Sequence, residues 1–192
     1  MAFWNAMRKK FQLARRQDSR PPDTLPCVDH LFTPWRYAYV TAADNSTSCI
    51  FCDRAPDRET NADLDVRHYV VHRGAHCFVI VNRYPYTSGH VMIVPYRHVD
   101  RLDLLSVEEA NEMMALAQRM EGVFRRLYRP DGINMGLNIG KAAGAGVAGH
   151  IHMHALPRWV ADANFMSVVG ETRVLPESLE ETARRIRQAL AG

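Results

Sequence analysis

Cysteine is scarce in this chain: four residues of 192, far too few to staple a fold of this size with disulfides. Long apolar runs are missing too. None approaches the roughly 18 residues that would suggest a membrane helix. The first 20 residues lack the roughly 7–15-residue apolar stretch of a secretory signal, because charge interrupts Phe3, Trp4, Phe11 and Leu13. No internal repeat is visible. With 47% hydrophobic and 23% charged residues, the composition excludes collagen, coiled coil and wholesale disorder. These absences leave a globular cytoplasmic protein with no membrane partner, long enough for one domain with a packed core.

The net charge of +3 is unevenly spread. Residues 1–20 hold six basic groups and one acid, net +5; the other 172 hold 18 basic and 20 acidic groups, net −2. Basicity is therefore a property of the tail, and the body does not read as a nucleic-acid-binding surface. Paired Pro21-Pro22 ends the tail. Residues 1–25 are expected to form a mobile extension, or an amphipathic arm for a partner subunit or an anionic surface. Residues 26–192 form the domain.

Residues 31–40 are aromatic and read as extended; residues 53–67 are polar and aperiodic, and read as a loop. Apolar runs of strand length follow at 69–72, 77–81, 91–94, 133–139 and 150–156. Ser106 with Glu109 forms a capping box. Behind it Ala110, Met113, Met114, Ala117, Met120, Phe124 and Leu127 make a helical stripe closed by Arg125, Arg126 and Arg129. A second helix runs from Pro176 to about Leu190. Strands grouped around a helix, without strict alternation, predict an α+β antiparallel sheet.

The sharpest feature is His150-Ile-His-Met-His154. On a strand, period 2 would place three imidazoles on one face and Ile151, Met153 and Ala155 on the other. The outer two Cα atoms would lie about 13 Å apart, so a flat strand cannot easily bring all three to one metal, and their labour is divided. Residues 136–149 carry five glycines, which permit the positive φ angles and close backbone approach of an anion nest. The GK[ST] ending of a P-loop is missing. A glycine-rich loop before aligned histidines looks like a phosphate cradle opposite a nucleophile. A neutral imidazole attacks phosphorus when its other ring nitrogen donates to a fixed acceptor.

Cys49-Ile-Phe-Cys52 is half a zinc site by spacing, and with no second CxxC histidines would complete it. A redox pair or two reduced thiols are the alternatives. Cys27 and Cys77 read as structural; His68, His72 and His76 read as solvated or core histidines.

HIHMHAL with Pro157-Arg158-Trp159 resembles the signature of the histidine-triad (HIT) superfamily. Residues 81–95 (VNRYPYTSGHVMIVP) resemble its strand–turn–strand segment, and 136–149 its phosphate loop. Residues 31–39 and Asn164-Phe-Met are most similar to the branch of bacterial diadenosine tetraphosphate phosphorylases. The resemblance implies a HIT-like antiparallel sheet with one long helix and a C-terminal helix, paired as a homodimer. It implies His152 as the nucleophile that becomes nucleotidylated, His154 on the phosphates and leaving group, and His90 as the upstream histidine. Asn82 would bond the ribose, and Trp159 would line the nucleotide site. Asn138, Lys141, Gly144, Ala145 and Gly146 would hold phosphate. Zinc, the one cofactor expected, would be structural, on Cys49, Cys52, His98 and His150.

Many relatives carry Gln or Ser before the triad strand. Here the stretch is Ala145-Gly-Val-Ala148, which leaves Lys141 or backbone donors for the leaving group. His154 stands where distant hexose-1-phosphate uridylyltransferases carry Gln, which argues against sugar transfer. The implied activity is cleavage of a dinucleoside polyphosphate such as diadenosine tetraphosphate, with phosphate or water as acceptor. A nucleoside phosphoramidase and a catalytically silent nucleotide-binding protein are the alternatives.

Overall fold

The computed structural model describes residues 48–55, 62–160, 162 and 176–191. The basic tail, its boundary at residue 25, the aromatic segment 31–40, Cys27 and Asn164-Phe-Met lie outside the described residues. Five strands form one antiparallel sheet: β1 (Val70–Arg73), β2 (Cys77–Val81), β3 (Val91–Pro95), β4 (Gly132–Leu137) and β5 (Met153–Arg158), in the order β1-β2-β3-β5-β4. Helix α1 (Ile50–Arg54) and helix α2 (Ala62–His68) precede it, α3 (Val107–Tyr128) lies between β3 and β4, and α4 (Leu179–Ala191) follows. No helix among the described residues is long and apolar enough to cross a membrane.

The two faces of the sheet are read directly from residue parity. Cys77, Val79 and Val81 of β2, Val91 and Ile93 of β3, and Met153 and Ala155 of β5 pack with Met113, Ala117, Met120 and Phe124 of α3 and with Ala183, Ile186 and Leu190 of α4. The alternate residues Phe78, Ile80, Met92 and Val94 face the other way and pack with Phe51 and Ala55. Both faces of β2 and β3 are buried, which is why these strands read as unbroken apolar runs.

Helix α3 starts where its capping box predicts. Glu109 N–H donates to Ser106 Oγ, and Ser106 N–H donates to the Glu109 carboxylate. The buried stripe differs at its edges: Leu116 and Val123 are inside, while Ala110 and Met114 are exposed. Glu112 leaves this helix to cap the β1–β2 turn. Its carboxylate accepts from the N–H groups of Ala75, His76 and Cys77 at 2.8, 2.5 and 2.6 Å.

Three expectations need correction. Residues 62–68 are helical rather than loop, and none of their side chains is buried, so the helix has no apolar stripe to betray it. Asp63 and Asp65 at its start and Arg67 and His68 at its end suit the helix dipole instead. Strand β5 begins at Met153, so His150 and His152 lie on the irregular segment that enters it. The fourth strand ends at Leu137, short of Ile139.

Candidate active site and metal centre

The segment 150–154 lies between the glycine-rich loop and the middle of the sheet. In that loop Gly140 (φ 81°) and Gly144 (φ 87°) flank a 3₁₀ turn at Lys141–Ala143. A side chain at either glycine would meet open space, so it is the backbone turn that calls for glycine. Lys141, Gly144 and Gly146 are exposed, Asn138 is half-buried and Ala145 is buried. Ile151 N–H donates to the Val99 carbonyl at 2.6 Å and anchors the segment after the loop.

His152 is 3% exposed. Its Nδ1 donates to the backbone carbonyl of His150 at 2.8 Å. A carbonyl only accepts, so Nδ1 carries the proton and the neutral ring keeps its lone pair on Nε2. Burial pulls the His152 pKa below the usual imidazole value, partly opposed by that carbonyl bond.

His154 is set by a relay. Tyr84 N–H donates to Asn82 Oδ1 at 3.0 Å, which turns the Asn82 amide nitrogen towards His90 Nδ1 at 3.3 Å. Tyr86 N–H also donates to His90 Nδ1, at 3.1 Å. With two donors pointed at it, Nδ1 is unprotonated, and the His90 proton is on Nε2. That Nε2–H faces His154 Nδ1 at 2.9 Å. His154 therefore carries its own proton on Nε2. Burial pushes its pKa down to about 4. The rings of His152 and His154 are 4.9 Å apart, edge to face. His90 is wholly buried, and His154 is the triad histidine it touches through a hydrogen bond.

The neighbours of His154 in the sheet are Met92 on β3 and Gly136 on β4. Gly136 is exposed, and nothing lies within 4 Å of where its Cβ would be. His154 thus has an open flank on the β4 side. Trp159 follows β5, and its ring packs edge-on against Tyr128 at 6.2 Å.

His150 has a different set of partners. Its Nε2 donates to the Pro95 carbonyl at 2.9 Å, leaving the Nδ1 lone pair directed at Cys49 Sγ (3.3 Å) and Cys52 Sγ (3.7 Å). His98 Nδ1 lies 3.4 Å from Cys52 Sγ. Burial holds the His150 pKa down to about 4 and pushes the Cys52 thiol up to about 11. The four ligand atoms all lie within 4.8 Å of one another. A tetrahedral ion with Zn–S of about 2.3 Å and Zn–N of about 2.05 Å needs sulfur–nitrogen separations of about 3.5 Å. The donor set therefore fits a four-coordinate metal.

Between the two centres lies Phe51, 1% exposed, a residue that reading the sequence for chemistry overlooked. Its ring is 5.4 Å from that of His150 and 5.0 Å from that of His152. Its signal was an apolar residue inside the CxxC, indistinguishable in sequence from ordinary core.

A family model described as the HIT domain matches residues 65–160. The chain belongs to the HIT family. This HIT chain is 38% identical over 161 residues to the AP-4-A phosphorylase of Mycobacterium tuberculosis, covering 82% of each. It is 33% identical over 82 residues to the asymmetrical bis(5'-nucleosyl)-tetraphosphatase of Schizosaccharomyces pombe, covering 43% of this chain and 44% of that one. Among solved structures it resembles a Zn-bound histidine triad family protein from Mycobacterium smegmatis. There the TM-score is 0.58 at 31% identity, covering 75% of this HIT chain and 94% of that one.

Proposed function

We propose that this protein cleaves a phosphoanhydride bond of a dinucleoside polyphosphate through a covalent nucleotidyl-histidine at His152. The reading rests on one observation: the bond from His152 Nδ1 to the His150 carbonyl, which leaves Nε2 as the nucleophilic lone pair. Nε2 attacks the α-phosphorus; an N–P bond forms, the bridging P–O bond breaks, and its electron pair leaves on the departing nucleotide. That terminal phosphate is a stable anion, so it needs charge stabilisation more than a proton. His154 Nε2–H donates to it, while Lys141, Asn138 and the backbone of Gly144, Ala145 and Gly146 take the remaining phosphate oxygens. An oxygen of inorganic phosphate or of water then attacks the phosphorus, its proton passes to solvent, and the P–N electron pair returns to Nε2. Asn82 Oδ1, with one lone pair taken by Tyr84 N–H, has a second for a ribose hydroxyl.

Cys49, Cys52, His98 and His150 would hold zinc. With four protein ligands and no open position, the ion supplies a structural cross-link. The same reading takes the protein as a cytoplasmic homodimer; among the described residues β4 is an edge strand of the sheet, and sedimentation velocity tests the dimer.

Diadenosine tetraphosphate is incubated with the protein, with and without inorganic phosphate, and products are separated by charge. ADP plus ATP, formed only with phosphate, identifies a phosphorylase; AMP plus ATP without it identifies a hydrolase. Full turnover by His152→Ala would sink the covalent route. Cleavage of a nucleoside phosphoramidate alone would move the activity to P–N bonds.

A further inference from the structure

The turn at residues 82–89 does more than carry His90. Thr87 Oγ1 donates to the Pro157 carbonyl at 2.9 Å, and His90 N–H donates to the Thr87 carbonyl at 3.3 Å. Gly89 adopts φ +83° against the ring of Tyr128. Pinned in this way, the turn holds Tyr86 in one place while leaving the residue 44% exposed.

That ring lies 4.7 Å from His90 and 6.1 Å from His154, and is inclined by only 24° to the His154 plane. Among the described residues the exposed large hydrophobics include two aromatics, Tyr84 and Tyr86, and both stand on this turn. An apolar ring that only served the core would be inside it, as Phe51, Phe78 and Phe124 are. This one extends the stack of imidazoles outwards to solvent, beside the histidine that faces the leaving group.

We infer that Tyr86 is the floor of a second nucleoside subsite, on which the base of the departing nucleotide stacks. This rests on the reading of the protein as a dinucleoside polyphosphate enzyme. A flat, exposed π-face recognises any base, so the subsite selects for a second nucleoside without selecting which one. The departing nucleotide is the part of the substrate that His154 contacts, and a polyphosphate linker can fold back to bring its base to the adjoining ring. Adenosine 5'-tetraphosphate lacks that second base and would leave Tyr86 empty.

The test compares diadenosine tetraphosphate with adenosine 5'-tetraphosphate on full-length protein. Turnover of each is measured with wild type, Tyr86→Phe and Tyr86→Ala. Equilibrium binding of each is measured on the same set in a His152→Ala background. Tyr86→Ala is expected to weaken the dinucleotide about tenfold, in both KM and Kd, and to leave adenosine 5'-tetraphosphate within about twofold; a stacking contact of this kind carries such a factor. Tyr86→Phe keeps the ring and should keep the wild-type preference for the dinucleotide over adenosine 5'-tetraphosphate. Equal loss for both ligands would make Tyr86 a support for the histidines and overturn the subsite, as would no loss for either. In both cases wild-type turnover still upholds the enzyme reading. Neither binding nor cleavage of either ligand by wild type overturns both.

Discussion

His90 Nε2 stands 2.9 Å from His154 Nδ1, and the direction of that hydrogen bond is settled by two donors on the far side of the His90 ring. A buried imidazole thus dictates which nitrogen of an accessible one bears the proton. His90→Ala is expected to lower kcat about 10- to 100-fold with KM changed little, since the binding surface stays in place. Nitrogen-15 NMR of His154 should show the loss of a single tautomer. A fixed tautomer in the variant would break the relay.

The pH response follows from burial. In the folded protein His154 titrates at about 4, below the 6.5 of an unperturbed histidine. As pH falls, the unfolded chain takes up this proton first. The stability that depends on a neutral His154 is therefore complete above about 6.5 and is lost between 6.5 and 4. Urea midpoints across that range should fall with decreasing pH, and His154→Asn should flatten the slope. The acid limb of kcat/KM should likewise lie below 6.5; a limb above it would contradict a desolvated His154.

A metal held by Cys49, Cys52, His98 and His150 would tie α1 to the entry of β5. Cys49→Ser should release the ion, measured by mass spectrometry, and lower the thermal midpoint by about 5–10 °C, from a loss of a few kcal/mol in a domain of this size. Because His150 would be a ligand and its carbonyl accepts from His152, kcat should fall as well. A metal-free variant of unchanged stability and activity would remove the cross-link from the account.

Gly89 has two reasons to be glycine. Its φ is +83°, and a Cβ there would lie 2.9 Å from the Tyr128 ring and 3.1 Å from Pro157. Gly89→Ala is expected to cost about 2–4 kcal/mol, combining left-handed strain with overpacking. Urea unfolding measures it; a cost under about 0.5 kcal/mol would mean the turn relaxes freely.

Much of this was legible in the sequence, for identifiable reasons. The apolar runs of β2 and β3 are unbroken because both faces of those strands are covered, and the capping box marks the start of α3 because Ser106 and Glu109 satisfy each other's backbone. The expectation that the three histidines would not share one set of partners came from strand spacing; His150 does turn to Cys49 and Cys52 while His154 turns to His90, although His150 and His152 precede the strand. What stayed hidden is made of backbone atoms or of plain core. The Pro95 and His150 carbonyls and the Tyr86 N–H set the imidazole tautomers, yet every residue has such groups, so no letter announces them. Helix α2 buries nothing and leaves no periodicity, and Phe51 reads like any other phenylalanine.

A sequence that repeats histidine every second residue carries a hazard of miscounting. Sliding the 150–154 segment by two positions keeps every apolar residue on its proper face and still presents histidines on the other, so hydrophobic patterning cannot tell the right alignment from the wrong one. Held at both ring nitrogens, by the cysteine pair on one side and the Pro95 carbonyl on the other, His150 works as the zero mark of the ruler. In a shifted alignment the place of His152 would fall to His150 or His154, and this fixed origin distinguishes the correct frame from its near-copies.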